Sequence, residues 1–211
     1  MKKKFELTEE TKIVNNVTLH RIRALRDVFN FKKGKLGGWI EKEKNLSHEG
    51  ECWVFDNACV MNDASVSDNS LMYGNAQMSG NARMGGNSRM YDDAVMLDNA
   101  QMFDESCMLD NSQMSGNAQM WGNVYMMGNA HMAGNGTIST STDVLCFTNV
   151  GSEHGSLTVY KAKEGIEVTS WGFQGTDIEF LNAVKEKHGL DSKIGKEYSM
   201  MIELAGFRIL G

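Results

Sequence analysis

The stretch that decides the fold reads Met72-Tyr73-Gly74-Asn75-Ala76-Gln77-Met78-Ser79-Gly80-Asn81-Ala82-Arg83-Met84. Methionine returns at every sixth residue, and alanine stands two places before it. Counting outward in both directions gives Val54, Val60, Val66, Met72, Met78, Met84, Met90, Met96, Met102, Met108, Met114, Met120, Met126, Met132 and Ile138, all aliphatic and without a slip. The residue two places earlier is small almost throughout, from Cys52, Ala58 and Ala64 to Ala130 and Gly136. Between these positions recur pairs such as Gly74-Asn75, Gly80-Asn81, Asp98-Asn99 and Gly116-Asn117.

A period of six fits neither helical repeat. In a short strand the side chains alternate, so the aliphatic residue points in and its two neighbours point out. Glycine and asparagine tolerate the left-handed backbone of a tight corner, and the small residue fits inside the bend. Three such strands close a triangular coil. Fifteen rungs make about five coils, a prism roughly 24 Å long at the usual strand spacing. The expected fold class is therefore mainly β, with a parallel β-helix over residues 50–139. Residues 1–49 are expected to form a β-rich N-terminal cap, and residues 140–211 a C-terminal α+β module.

Composition bounds the rest. The chain has 211 residues, 41% hydrophobic and 23% charged, as a globular protein has. Its net charge of −6 disfavours general binding to nucleic-acid phosphates. No apolar run is long enough to span a membrane. Lys2-Lys3-Lys4 at the start is followed by Phe5-Glu6-Leu7-Thr8-Glu9-Glu10 rather than an apolar segment, so secretion is not expected. Cys52, Cys59, Cys107 and Cys146 show no metal-type spacing and read as reduced thiols of a cytoplasmic protein. The eleven methionines on the six-residue period read as core, since thioethers without histidine or cysteine beside them are ordinary packing groups.

The repeat resembles the hexapeptide-repeat superfamily. The resemblance implies a left-handed β-helix, usually a homotrimer and in many members an acyltransferase. The spelling Gly-Asn-Ala-x-Met/Val-x is closer to uncharacterised bacterial and bacteriophage members. Leu36-Gly37-Gly38-Trp39-Ile40 resembles the lead-in of such proteins, and the run from Val144 to Tyr160 resembles a module that recurs in phage proteins.

Sorting the outward residues by face separates three surfaces. The first carries Trp53, Phe55, Leu71, Tyr73, Arg89, Tyr91, Cys107, Leu109, Tyr125 and Met127 and is almost wholly apolar. Such a face is expected to be covered, either by further copies in the homotrimer or by a terminal segment of the same chain. The second face, from Cys59 and Met61 to His131 and Ala133, is mixed. The third is polar, with Phe103 and Trp121 one coil apart and Arg83, Gln101 and Gln119 beside them. Stacked aromatics next to arginine and amides suit a flat ring with a phosphate; packing against a neighbouring segment is the alternative. The strip Arg89, Tyr73 and Tyr91 is a second candidate of the same type. Asp92, Asp93, Asp98, Asp104, Glu105 and Asp110 cluster at corners, where they serve either a hard cation or the turns themselves.

In the flanks, Phe5–Leu7, 12–14 and 17–22 read as strands, with Arg21, Arg23 and Arg26 a local basic cluster. Beyond the repeat, three strands are expected at 143–150, 156–162 and 165–171. Thr176 and Glu179 have capping-box spacing and open a helix to about Lys187, and a second helix is expected from Lys196 to about Leu210.

For function, an acetyl-CoA-dependent acyltransferase would need a histidine base, and His131, His48 and His154 are the candidates. The repeat shows no protruding loop and no nucleophile–base pair. The expectation is thus a non-enzymatic trimer without cofactor or metal. It would bind a small nucleotide-like ligand between subunits, as a protein that sequesters a host immune signal would, at Arg83, Gln101, Phe103, Gln119, Trp121, Arg89, Tyr73 and Tyr91. A purely structural or partner-binding phage protein is a further alternative.

Overall fold

The computed structural model describes residues 3–29 and 31–211. Its centre is the left-handed parallel β-helix. Fifteen two-residue strands, β4 (Trp53–Val54) to β18 (Thr137–Ile138), follow one another at six-residue spacing. They stack into three sheets, with β4, β7, β10, β13 and β16 on the first face and β6, β9, β12, β15 and β18 on the third. Pairing is parallel and in register one coil apart, Met72 against Met90, Met78 against Met96 and Met84 against Met102. Every rung side chain from Val54 to Ile138 is at most 1% exposed, so methionine fills the bore.

The corners obey the backbone argument. Gly74, Gly80 and Gly116 take φ of 66°, 69° and 66°, and Asp92, Asp98, Asp104 and Asp110 take the same region at 56–58°. Asparagine ladders run up the corners. Asn81 donates to Asn99 at 3.0 Å and Asn99 to Asn117 at 3.1 Å.

The stack begins earlier than the strict period shows. Ile40 pairs with Val60 and Leu46 with Val66, so both act as rungs ahead of Trp53. The step from Leu46 to Val54 takes eight residues instead of six, which hides them from the count. Gly50, at φ 61°, lies in that longer step.

At the N-terminal end, β1 (Phe5–Val14) and β2 (Val17–Ala24) form a hairpin. β1 is one strand with a register shift between Leu7 and Thr11, where two strands are expected from the sequence. β2 pairs with β3 (Leu36–Ile40), which runs parallel to β5 (Cys59–Val60), so the hairpin extends the second-face sheet. A Cβ on Gly38 would lie 2.7 Å from the Ala58 carbonyl oxygen, so the lead-in needs glycine for close approach. Lys4 is fully buried and donates to the Cys52 and Glu49 carbonyls at 2.8 and 3.2 Å, closing this end.

The C-terminal module is an antiparallel meander, β19 (Val144–Val150), β20 (Gly155–Lys161), β21 (Ile166–Ser170) and β22 (Phe173–Thr176). Helices α1 (Asp177–His188) and α2 (Lys193–Leu210) cover one side of it. The strand alternation assigns the two sides. Leu157, Val159, Ile166 and Val168 face the helices, whereas Thr158, Tyr160, Glu167 and Thr169 face the end of the β-helix. Thr176 caps α1, accepting from the Glu179 amide at 3.2 Å while Glu179 accepts from the Thr176 amide at 2.8 Å. Among the described residues no helix is long and apolar enough to cross a membrane.

Candidate functional site

β17 (His131–Met132) is the last strand of the second-face sheet, and among the described residues no strand pairs with its outer edge. An unpaired edge leaves backbone donors and acceptors open. Side chains of the C-terminal sheet take them up. The His131 amide donates to Thr158 Oγ1 at 3.0 Å, Thr169 Oγ1 donates to the His131 carbonyl, and the Ala133 amide donates to Tyr160 at 3.2 Å. The Asn135 amide donates to Glu167 at 3.3 Å. His131 is thereby fixed on both sides of its Cα.

Its imidazole points outward, with Nε2 3.3 Å from the Ser115 hydroxyl oxygen one coil below. Burial pushes its pKa down from the ordinary 6.5, because desolvation disfavours the imidazolium. The ring is accordingly neutral at pH 7. It lines a cleft of about 690 Å³ between the second face and the C-terminal sheet. Gln113 and Asn129 form the wall on the β-helix side; His154, Ser156 and Trp171 form the opposite one. Two of the three candidate histidines thus border one cleft, although 23 residues separate them in the chain.

His48 lies elsewhere. Its ring stacks on Phe5 at 4.4 Å, Nδ1 accepts from the Lys4 amide at 3.1 Å, and Nε2 lies 2.7 Å from Glu43. Both nitrogens are occupied in holding the N-terminal cap.

The candidate ligand residues on the first face are brought together. Phe55 stacks on Tyr73 at 4.5 Å and Tyr73 on Tyr91 at 4.9 Å, with planes within 5°. With Phe31 and Arg89 they border a depression of about 350 Å³. Burial pushes the Tyr73 and Tyr91 phenols up. On the third face Arg83, Gln101 and Gln119 stand in register, as the spacing requires. The Phe103 ring lies against Gly85, where a Cβ would come within 3.0 Å of it. Among the described residues no ring stack joins Phe103 to Trp121, whereas Phe55, Tyr73 and Tyr91 on the first face stack in series.

The corner carboxylates are hydrogen-bonded within the helix. Asp98, Asp104 and Asp110 accept from the amides of Gly116, Gly122 and Gly128 at 2.9, 3.0 and 2.8 Å. Asp93 accepts from Asn75 at 3.1 Å. Among the described residues no three acidic, histidine or cysteine side chains converge as a metal site.

Thr158, Thr169, Tyr160 and Trp171 escaped the sequence reading. They lie in ordinary strand and turn context, and the partners they meet are a non-local matter of how the module docks.

No family model matches the chain. The chain is similar to a protein of Escherichia coli K-12 described as an uncharacterized acetyltransferase, YdcK, at 33% identity over 66 residues. The match covers 28% of this chain and 20% of that protein, so the chain spans about a fifth of its relative's length. The coiled fold and this relative fit the hexapeptide-repeat superfamily.

Proposed function

We propose that the protein is an acyltransferase of the hexapeptide-repeat kind, with the cleft at His131 as its reaction centre. One observation carries this: a neutral imidazole, fixed through its own backbone by Thr158 and Thr169, opens into a cleft of about 690 Å³ that His154 also lines. A neutral imidazole is a competent general base near pH 7. The acceptor's hydroxyl or amine would give its proton to His131 as its oxygen or nitrogen attacks the carbonyl of an acyl thioester. The proton would then pass to the departing thiolate. Gln113, Asn129, Ser156 and Thr148 supply the amides and hydroxyls that orient a polar acceptor.

Among the described residues the cleft lining holds no lysine or arginine. It therefore suits the acceptor and the amide-bearing arm of a thioester donor, but not the phosphates of acetyl-CoA, and no step here depends on them. The E. coli relative's description as an acetyltransferase supports the same chemistry.

The test is thiol release from acetyl-CoA in the presence of a panel of amine and hydroxyl acceptors. His131→Asn is expected to lower turnover by about a hundredfold or more. Release no faster than that of His131→Asn with every acceptor would overturn the assignment.

A second reading concerns the first face. The Phe55–Tyr73–Tyr91 stack, its depression and Arg89 suit a flat anionic ligand such as a nucleotide, held between subunits of a homotrimer. Arg89→Ala would then abolish nucleotide uptake seen by native mass spectrometry and leave acetyl-CoA turnover intact. Uptake unchanged in that variant would remove this reading.

A further inference from the structure

The C-terminal module holds a second hollow, of about 340 Å³, which shares Trp171 with the cleft but opens on the helical side. Its floor is aromatic. Phe180 meets Phe173 edge-on at 5.2 Å and 64°, and meets Tyr198 at 5.2 Å and 89°. Edge-to-face clusters of this kind leave ring faces and edges to receive another flat ring. At the mouth stands Trp171, 83% exposed, on the two-residue turn between β21 and β22. An indole left in water over an apolar hollow has a free face for stacking. The volume is that of a small ligand site.

The ionisable side chains around the mouth are Glu153, Lys187 and His188. Glu153 and Lys187 lie 3.9 Å apart with side chains 60% and 66% exposed, so they offset each other loosely and either can turn to a ligand. The last turn of α1 also carries the basic Lys185, Lys187 and His188, and two features act against them. α1 ends at His188, and its last carbonyls form the negative end of the helix dipole. Glu197, with Glu153, adds to the burial that pushes the Tyr198 phenol up.

We infer that this hollow binds a protonated aromatic amine, its ring laid among Phe173, Phe180, Tyr198 and Trp171 and its ammonium group at Glu153. The site is separate from acyl transfer at His131 and stands or falls without it. An aromatic carboxylate of the same size would meet Glu153 and the carbonyl end of α1 and would forgo the attraction of the ring faces for a cation.

The experiment follows the Trp171 indole N–H by NMR in protein labelled at tryptophan nitrogen, with the signal assigned from Trp171→Phe. The probes are 2-phenylethylamine and phenylacetate. The amine is expected to move the Trp171 signal saturably and phenylacetate to move it far less. Glu153→Gln should weaken the amine by about two- to fivefold. Ala183→Trp, on the exposed wall of the hollow, should block it while the other tryptophan signals stay in place. The inference is overturned if neither probe moves the signal, if phenylacetate binds as well as the amine, or if Ala183→Trp leaves binding unchanged.

Discussion

A methionine-lined bore is an unusual choice for strands, which favour β-branched residues. The rungs nearest the ends do use them, Val54, Val60, Val66 and Ile138, and methionine occupies every rung between. An unbranched thioether adapts to whatever gap the rungs above and below leave, and identical side chains stacked in register then pack without a jigsaw of shapes. Volume therefore matters more than branching here. Met96, fully buried, is the test. Met96→Ala should cost about 2–5 kcal/mol in urea denaturation. Met96→Leu, which keeps the volume, should cost less than about 1.5 kcal/mol. Equal losses from the two variants would mean that the thioether itself, not its volume, holds the bore.

The joint between β-helix and C-terminal module depends on groups that close the last coil. Asp143 is 5% exposed and accepts from the Ser139 and Thr140 amides at 2.7 and 2.9 Å. Burial opposes its charge, but these amides prevail and hold its carboxyl below the ordinary 3.8. A carboxylate with a depressed pKa stabilises the fold fully above its ordinary value, and that contribution is lost as pH falls through the lower, folded value. Thermal melts of the native protein should accordingly fall off below about pH 4. Asp143→Asn should be less stable by about 1–3 kcal/mol at pH 7 and should lack that part of the acid loss. Parallel acid profiles for the two proteins would show that Asp143 does not secure the joint. At this scale the sequence is legible where information is local. The rungs and the Thr176–Glu179 cap that opens α1 follow from spacing, whereas α2 begins at Lys193 behind a Ser192 cap, three residues before the expected Lys196. β22 does not follow from spacing, because Phe173-Gln174-Gly175-Thr176 is short, contains glycine and has no alternation to mark it. The rungs Ile40 and Leu46 fall out of phase by the longer step after them. The His131 cleft is illegible for a different reason, since Thr158 and Thr169 reach it from strands whose docking no periodicity encodes.

The whole molecule has three faces with different fates, and these bear on assembly. The second face is closed near both ends: Cys59 and Met61 lie under the N-terminal hairpin at 3% and 2% exposure, and His131 lies under the C-terminal sheet. Among the described residues the chain itself covers the first face at its start, where Phe31 packs on Trp53 and Phe55. The expected cover by a terminal segment thus reaches the first coil and stops. Further along, Tyr125 and Met127 remain 53% and 54% exposed in line with Leu109. A rigid prism with one open apolar face lowers its free energy by burying that face against copies of itself, and closed symmetry lets every copy do so. Native mass spectrometry is expected to give a trimer, with Tyr125→Glu and Met127→Lys together shifting it to monomer. Both substitutions sit on the outside of the coil, so the circular dichroism of the β-helix should not change. A native protein that is monomeric at micromolar concentration, or a trimer indifferent to both substitutions, would place the subunit contact elsewhere or nowhere on this face.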